Sequence, residues 1–265
     1  MRMASIVSGS SGNCIYVGSD KSNILIDAGV SKKRIEEGLC SHNINPKDID
    51  GIFITHEHAD HINGLGVFTR KYPVKIYGTK ETLLSIKKCR SLGAIDKDLF
   101  CEIEPDEVFN LKDMRIKPFK ISHDAINPVA YRVEDEKSAI AVATDMGTYD
   151  DYTVSNLENL DMILLEANHD INMLQVGSYP YYLKQRILGN RGHLSNEMSG
   201  RLLSRVLHDN LKKIMLGHLS KENNYEELAY ETVKIEITSS ERKYKAEDFN
   251  LEIAKRDRAS MLFEI

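Results

Sequence analysis

Short apolar runs that end on ionisable residues recur along this chain, and they constrain its fold more than any other feature. Gly51-Ile52-Phe53-Ile54-Thr55 runs straight into His56-Glu57-His58-Ala59-Asp60-His61. Lys117 to Ser122 leads to His123, Ala139 to Thr144 leads to Asp145, and Lys213 to Gly217 leads to His218. Continuous apolar runs of strand length suit strands buried on both faces. In α/β proteins, ligand-binding residues collect at the carboxyl ends of such strands. The pattern therefore predicts an α/β fold with its chemistry at strand ends.

Further strands are expected over Ser5 to Val7, Cys14 to Gly18, Asn23 to Asp27, Val129 to Glu134 and Met162 to Glu166. A short helix is expected over about Ser31 to Cys40. Met198, Leu202, Leu203, Val206 and Leu207 share one helical face, with Ser195 placed as its N-cap. Asn224, with Glu227 three residues on, reads as a capping box opening a helix through about Ile237. Phe249 to Ile253 alternates, turns at Asp257-Arg258 and returns through Met261 to Ile265, which predicts a terminal hairpin. Strands first, helices later and strands last suggest two packed sheets with helices outside. No repeat, low-complexity tract or Pro/Ser-rich linker marks a boundary, so residues 1–265 are expected to form one domain.

Composition narrows the functional classes. No stretch approaches the ~18 apolar residues of a bilayer span, and the first residues hold no apolar run of secretory length. A cytoplasmic location without membrane contact is expected. Cys14, Cys40, Cys89 and Cys101 form no Cys-x-x-Cys pair and read as reduced thiols. A net charge of −5 argues against a globally basic nucleic-acid binder. A polyanion would need a local patch or metal charge.

Three imidazoles and a carboxylate between His56 and His61 are costly to bury unless they bind something. A solvated polar loop is the bland alternative, but the pattern His-x-His-x-Asp-His arises by chance in only ~1 in 1000 such sequences. Taken singly, His123, Asp145 and His218 would be turn residues or hydrogen-bonded histidines. With the first cluster they read as further ligands. Nitrogen and oxygen donors without thiolate suit zinc, manganese or iron.

The chain resembles the metallo-β-lactamase fold superfamily, whose five motifs it carries in order, and within it the YycJ/WalJ family of bacterial exonuclease-like metallohydrolases. The residues that carry the resemblance are Ser8 to Asn13, Leu25 to Gly29, Thr55 to Gly66, Ser122 to Ala125, Thr144 to Gly147, Leu165 to Asp170, Gly192 to Glu197 and Gly217 to Ser220. The resemblance implies a four-layer αββα sandwich, with two mixed β-sheets packed face to face and helices outside. It implies two divalent ions: His56, His58 and His123 on the first, Asp60, His61 and His218 on the second, and Asp145 between them. Asp27 would orient a histidine, or equally cap a turn. Hydrolysis by a metal-bridging hydroxide would follow, with Asp60 counted among the catalytic residues.

Such a centre cleaves phosphodiesters, lactones and thioesters alike, so other residues must choose the bond. In resembling tRNA-maturing phosphodiesterases a glutamate–histidine pair protonates the leaving oxygen. Glu166 orienting His193 as general acid is the matching expectation here; a strand cap and a polar turn are the plain alternative. His169 is either a substrate contact or a structural histidine. Lys184, Arg186, Arg191, Arg201 and Arg205 face only Glu197 between residues 184 and 205. They could hold phosphates, with Tyr179, Tyr181 and Tyr182 nearby for base stacking. A solvated helix face, with Glu197, Arg201 and Arg205 pairing at i, i+4, accounts for the same residues. Ser10, Ser11 and Asn13 lie in a loop whose backbone N–H groups suit a phosphate.

Only 72 residues separate Asp145 from His218, too few for an inserted RNA-binding domain. The expectation is a phosphodiesterase, a DNA exonuclease of 5′→3′ polarity by resemblance, with DNA favoured over RNA as partner and no protein partner inferable. A small-molecule hydrolase of lactonase or thioesterase type, and a non-enzymatic metal-binding module, are the rivals.

Overall fold

Leu25, Ile26, Ile52 and Phe53 are wholly buried, which makes β3 (Asn23–Ile26) and β4 (Gly51–Phe53) interior strands. They belong to one of two seven-stranded sheets formed by residues 1–241 and 243–265, which the computed structural model describes. The chain divides into two units: Met1–Lys120 with Ala125–Ser138 and Lys255–Ile265, and Ile121–Asp124 with Ala139–Ala254.

The first unit holds one whole sheet. Around β3 and β4 it adds β1 (Arg2–Val7), β2 (Cys14–Gly18), β5 (Lys75–Gly78), β6 (Phe100–Glu102) and β14 (Phe263–Glu264), in the order β14-β1-β2-β3-β4-β5-β6. Antiparallel pairing joins β14 to β1, β1 to β2 and β2 to β3, and parallel pairing joins β3 through β6. Side chains of β4 alternate between two cores. Ile52 and Ile54 join a cluster with Ile35 and Leu39 of α1 (Lys32–Ser41) and Leu65 and Phe68 of α3 (Leu65–Lys71). Phe53 faces the other way, stacking on Tyr77 of β5 at 4.6 Å between ring centroids. It also meets Phe109 of β7 (Phe109–Leu111) at 6.2 Å and Tyr131 of β9 (Val129–Glu134) at 5.6 Å. The strands β7, β8 (Met114–Lys120) and β9 pair antiparallel. Within this unit, then, strands of the two sheets meet face to face while α1 and α3 cover the outer face, as expected of the sandwich. Burying an aromatic such as Phe53 contributes ~2 to 3 kcal/mol.

The second unit carries β10 (Ala139–Ala143), β11 (Met162–Glu166), β12 (Lys213–Gly217) and β13 (Asn250–Ile253) as parallel neighbours. The first three are buried along their whole length, as parallel strands covered on both faces must be. Helices fill the crossovers: α5 (Asp151–Leu157), then α6 (Ile171–Val176), α7 (Tyr181–Leu188) and α8 (Asn196–Val206), then α9 (Glu226–Thr238). Ala143 pairs with Leu165 and Glu166 with Gly217, so β10, β11 and β12 end level with one another. That register sets Asp145, Glu166 and His218 along one edge.

Two local expectations are corrected. The terminal hairpin does not form: β13 pairs with β12 and β14 with β1, in different sheets. Alternation cannot distinguish a hairpin partner from a sheet edge elsewhere, and both strands find longer partners. The capping box at Asn224 is also absent. Tyr225 is the N-cap of α9 with no side-chain bond, because the Asn224 amide donates instead to Ala167 O, Asn168 O and Asn196 Oδ1. Ser195 does cap α8, accepting from Met198 N. No helix among the described residues is long and apolar enough to cross a membrane.

Candidate metal centre

In the first unit the histidine loop leaves β4 and is held down from both sides. Tyr131 Oη donates to Ile54 O at 2.7 Å, Val129 N donates to Thr55 O at 3.0 Å, and Ile126 N donates to Glu57 Oε1 at 3.0 Å. Asn13 N donates to Asp60 O and Gly29 N to Asn13 O, both at 2.8 Å. A Cβ on Gly29 would stand 1.7 Å from Asp60 O, so only glycine lets the Asp60 backbone seat there.

The imidazoles are oriented by a buried polar cluster. Asp27 Oδ2 accepts from His61 Nδ1 at 2.7 Å, and Asp27 Oδ1 accepts from Thr55 N at 2.9 Å. Thr55 Oγ1 donates to Asp27 Oδ2 at 2.9 Å and lies 3.0 Å from His56 Nδ1. A hydroxyl that gives its one hydrogen to a carboxylate accepts from the imidazole, so His56 also carries its hydrogen on Nδ1. Burial lifts the Asp27 carboxyl above the ordinary carboxylate range, against the charge and hydrogen bond of His61 that pull it down. Of the two roles open to Asp27, orienting a histidine is the one observed. The rings of His56 and His61 lie 4.1 Å apart, those of His56 and His58 4.6 Å apart. His61 Nε2 stands 3.4 Å from Asp60 Oδ2.

The second unit repeats the logic. His123 Nδ1 lies 3.0 Å from the carbonyl of Gly192, an acceptor only, and so is protonated there. Glu166 is fully buried and accepts four bonds. Its Oε1 takes His193 Nδ1 at 2.8 Å and His218 Nδ1 at 2.9 Å. Its Oε2 takes Met146 N at 2.9 Å and Leu194 N at 3.1 Å. Burial would raise the Glu166 carboxyl, but the charge and hydrogen bonds of His193 and His218 prevail and hold it down at about 2. Asn168 Nδ2 donates to His218 O at 2.9 Å and steadies the backbone of that residue. Burial lowers His123 below the ordinary histidine range, with Asp145 opposing.

The donor set fits divalent cations. His56, His61, His123 and His218 each commit Nδ1–H to a fixed acceptor, which puts the lone pair on Nε2, one of the two nitrogens through which histidine ligates a metal. Asp145 Oδ1 stands 3.6 Å from His123 Nε2 and 3.6 Å from His218 Nε2. Two donors each ~2.1 Å from one ion at a tetrahedral angle stand ~3.4 Å apart, and these spacings match that better than they match hydrogen bonds. Within the second unit Asp145, Glu166, His193 and His218 offer donor atoms all within 4.8 Å of one another. Three of the seven described non-glycine residues in the left-handed region lie here, Asp27, Asp145 and His218 with φ of 62°, 60° and 56°; the others are Asn43, Asp106, Lys112 and Asn159.

The residues assigned to substrate divide. Ser10 and Ser11 are exposed. Asn13 is buried; its side chain accepts from Gly9 N and donates to Gly9 O, and its Nδ2 also lies 3.3 Å from His61 Nε2, beside the metal-ligand set. Arg186 forms a two-armed ion pair with Asp124, and Arg191 Nε donates to His123 O at 3.0 Å. Lys184 Nζ donates to Gln175 O at 2.8 Å. Arg201 and Arg205 pair with Glu236 of α9 and Asp151, not along their own helix; close helix packing supplied nearer partners than i, i+4 spacing. Both ring nitrogens of His169 are buried with no hydrogen-bond partner among the described residues. Thr55, Asn168 and Asp124 are contributors that sequence reading missed, since nothing in a lone Thr, Asn or Asp shows which neighbour folds against it.

A model described as a beta-lactamase superfamily domain matches residues 22–247. Exodeoxyribonuclease WalJ of Streptococcus pneumoniae serotype 2 is 40% identical over 260 residues, covering 98% of this chain and 96% of the relative. Exodeoxyribonuclease YycJ of Bacillus anthracis is 37% identical over 224 residues, 84% of each chain. Among solved structures, the metallo-β-lactamase fold protein YhfI of Bacillus subtilis superposes with a TM-score of 0.72 at 17% identity, covering 99% of both chains. Two mixed seven-stranded sheets with helices, a metal-compatible histidine–aspartate set and this likeness agree, and the chain belongs to the beta-lactamase superfamily, with the metallo-β-lactamase fold.

Proposed function

We propose that this protein is a two-metal phosphodiesterase that removes nucleotides from DNA ends, in the 5′→3′ direction that family likeness suggests. Membership of the superfamily implies divalent metal binding, and relatives of matching length carry the name exodeoxyribonuclease. The observation that carries the reading is the Glu166 carboxylate shared by His193 and His218. A lactonase or thioesterase has less need of a held acid, whereas an alkoxide leaving from phosphorus must be protonated.

In this reading His56, His58 and His123 would hold one ion, Asp60, His61 and His218 the other, and Asp145 would be shared. Divalent ions bound there would supply a nucleophile from water at neutral pH and neutralise charge developing on the phosphate. Zinc or manganese suits the donors, and iron is compatible. Asp27, Thr55, Gly192 O and Glu166 keep His61, His56, His123 and His218 in the Nδ1–H tautomer and fix their planes. Glu166 anchors His193 through Nδ1, so His193 Nε2 is the atom that delivers a proton to the departing oxygen. Backbone N–H groups of the Ser8–Asn13 loop, with Ser10 and Ser11 exposed on it, offer contacts to the phosphate. A cytoplasmic location accords with a DNA substrate, and residues 1–265 are taken as one catalytic domain.

The test is metal-reconstituted protein on end-labelled DNA, end-labelled RNA, bis-(p-nitrophenyl) phosphate and a lactone, with Asp60→Ala alongside. Stepwise loss of terminal deoxynucleotides, abolished in Asp60→Ala, is expected. RNA-only or lactone-only turnover, or silence on every substrate, would overturn the reading.

A further inference from the structure

We propose that the arm between His169 and His193 is a stacking platform for the bases of single-stranded DNA; the proposal rests on the phosphodiesterase reading. Residues 171–192 contain no Asp or Glu, three cations (Lys184, Arg186 and Arg191) and three tyrosines. Asp124 neutralises Arg186, and Lys184 and Arg191 still leave the stretch positive in a chain that carries −5 as a whole, a local reversal of sign that suits a polyanion.

Its outer surface is apolar and aromatic. Val176 is 85% exposed, Tyr181 76% and Tyr182 74%. Leaving three such side chains in water within seven residues has no folding benefit, and large exposed apolar patches mark binding surfaces. The two tyrosines open α7, whose apolar anchor is the buried Ile187 on the other side. Tyrosine rings offer every base a π-face, while cations alongside track the phosphates.

The base of the arm is tied to the catalytic groups of its own unit. Arg186 grips Asp124, Arg191 holds His123 O, Ser122 Oγ donates to Asn190 O at 2.8 Å, and His123 Nδ1 donates to Gly192 O. The arm therefore starts at Asn168-His169, beside Glu166, and ends at His193 itself. A strand with its terminal phosphate at those residues would lay its following bases along the same arm, toward the tyrosines. Stacked bases in a duplex are not available to such a platform, so the geometry selects unpaired ends.

The experiment is fluorescence anisotropy of metal-loaded protein with a labelled oligothymidylate, an abasic oligomer of equal length and a blunt duplex. Wild-type protein should bind oligothymidylate at least ~10-fold more tightly than the abasic strand. Tyr181→Ala/Tyr182→Ala should erase that difference, and Tyr181→Trp/Tyr182→Trp should keep it. Unchanged base preference in the double alanine variant, or equal loss on both oligomers, overturns the platform. So does tighter binding of the blunt duplex, or a change of sedimentation that shows the face to be a self-contact. Base-dependent binding without hydrolysis of any phosphodiester would strike the catalytic reading and leave the platform standing.

Discussion

His193 and His218 donate from Nδ1 to the same oxygen, Oε1 of Glu166, at 2.8 and 2.9 Å, and their rings stack at 5.3 Å. One buried carboxylate thus fixes both a histidine suited to metal binding and the histidine suited to proton delivery. Two functions hang on one side chain.

Glu166→Gln tests that sharing. An amide oxygen lacks the charge that makes both bonds strong, and the amide hydrogens would repel one imidazole N–H or force its ring to turn. Metal affinity should fall ~10- to 100-fold and DNA turnover should fall further. Metal titration and steady-state kinetics read the two effects separately; a variant with both unchanged would refute the sharing.

His193→Ala removes the proposed proton donor and leaves the Glu166 bond to His218 in place. DNA hydrolysis should slow by ~10²- to 10⁴-fold with metal content retained. Bis-(p-nitrophenyl) phosphate, whose phenolate leaves without protonation, should be affected far less. An equal loss on both substrates would assign His193 to binding or structure.

Asp27→Asn leaves His61 without its carboxylate. The same loss of orientation predicts ~10- to 100-fold weaker metal binding, with Thr55→Val giving a smaller effect through His56. Isothermal titration with zinc or manganese checks this, and wild-type affinity in Asp27→Asn would exclude an orienting role.

Stability should depend on His169 in acid. Burial lowers this imidazole to about 4, with Glu166 opposing and His193 assisting, from an ordinary 6.5. Between those values the unfolded chain binds the extra proton, so stability falls as the pH drops through that window and levels off below about 4. The slope is at most ~1.4 kcal/mol per pH unit. Urea unfolding at pH 7, 6, 5 and 4.5 should show a shallower decline in His169→Gln than in wild type. Parallel declines would remove His169 as the source.

Several elements could be read from the sequence because their signals are local. The apolar runs of β4, β10, β11 and β12, the Ser195 cap and the compact His56–His61 motif depend on residues adjacent in the chain. Asn224 and the strands at the C-terminus were misread for the complementary reason. Their local patterns were genuine, but partners distant in sequence, Ala167 and Asn196 for one and β12 and β1 for the others, offered better hydrogen bonding.

The sequence by itself determined which donors exist and that they follow strands, since residue type and periodicity are properties of the chain. Only the tertiary structure decided which nitrogen of each histidine carries the hydrogen, because that follows from the acceptor set against it: Asp27 for His61, Gly192 O for His123, Glu166 for His193 and His218. Those acceptors lie between 27 and 69 residues away along the chain, a distance over which no sequence period reaches and only folding can bring the groups into contact.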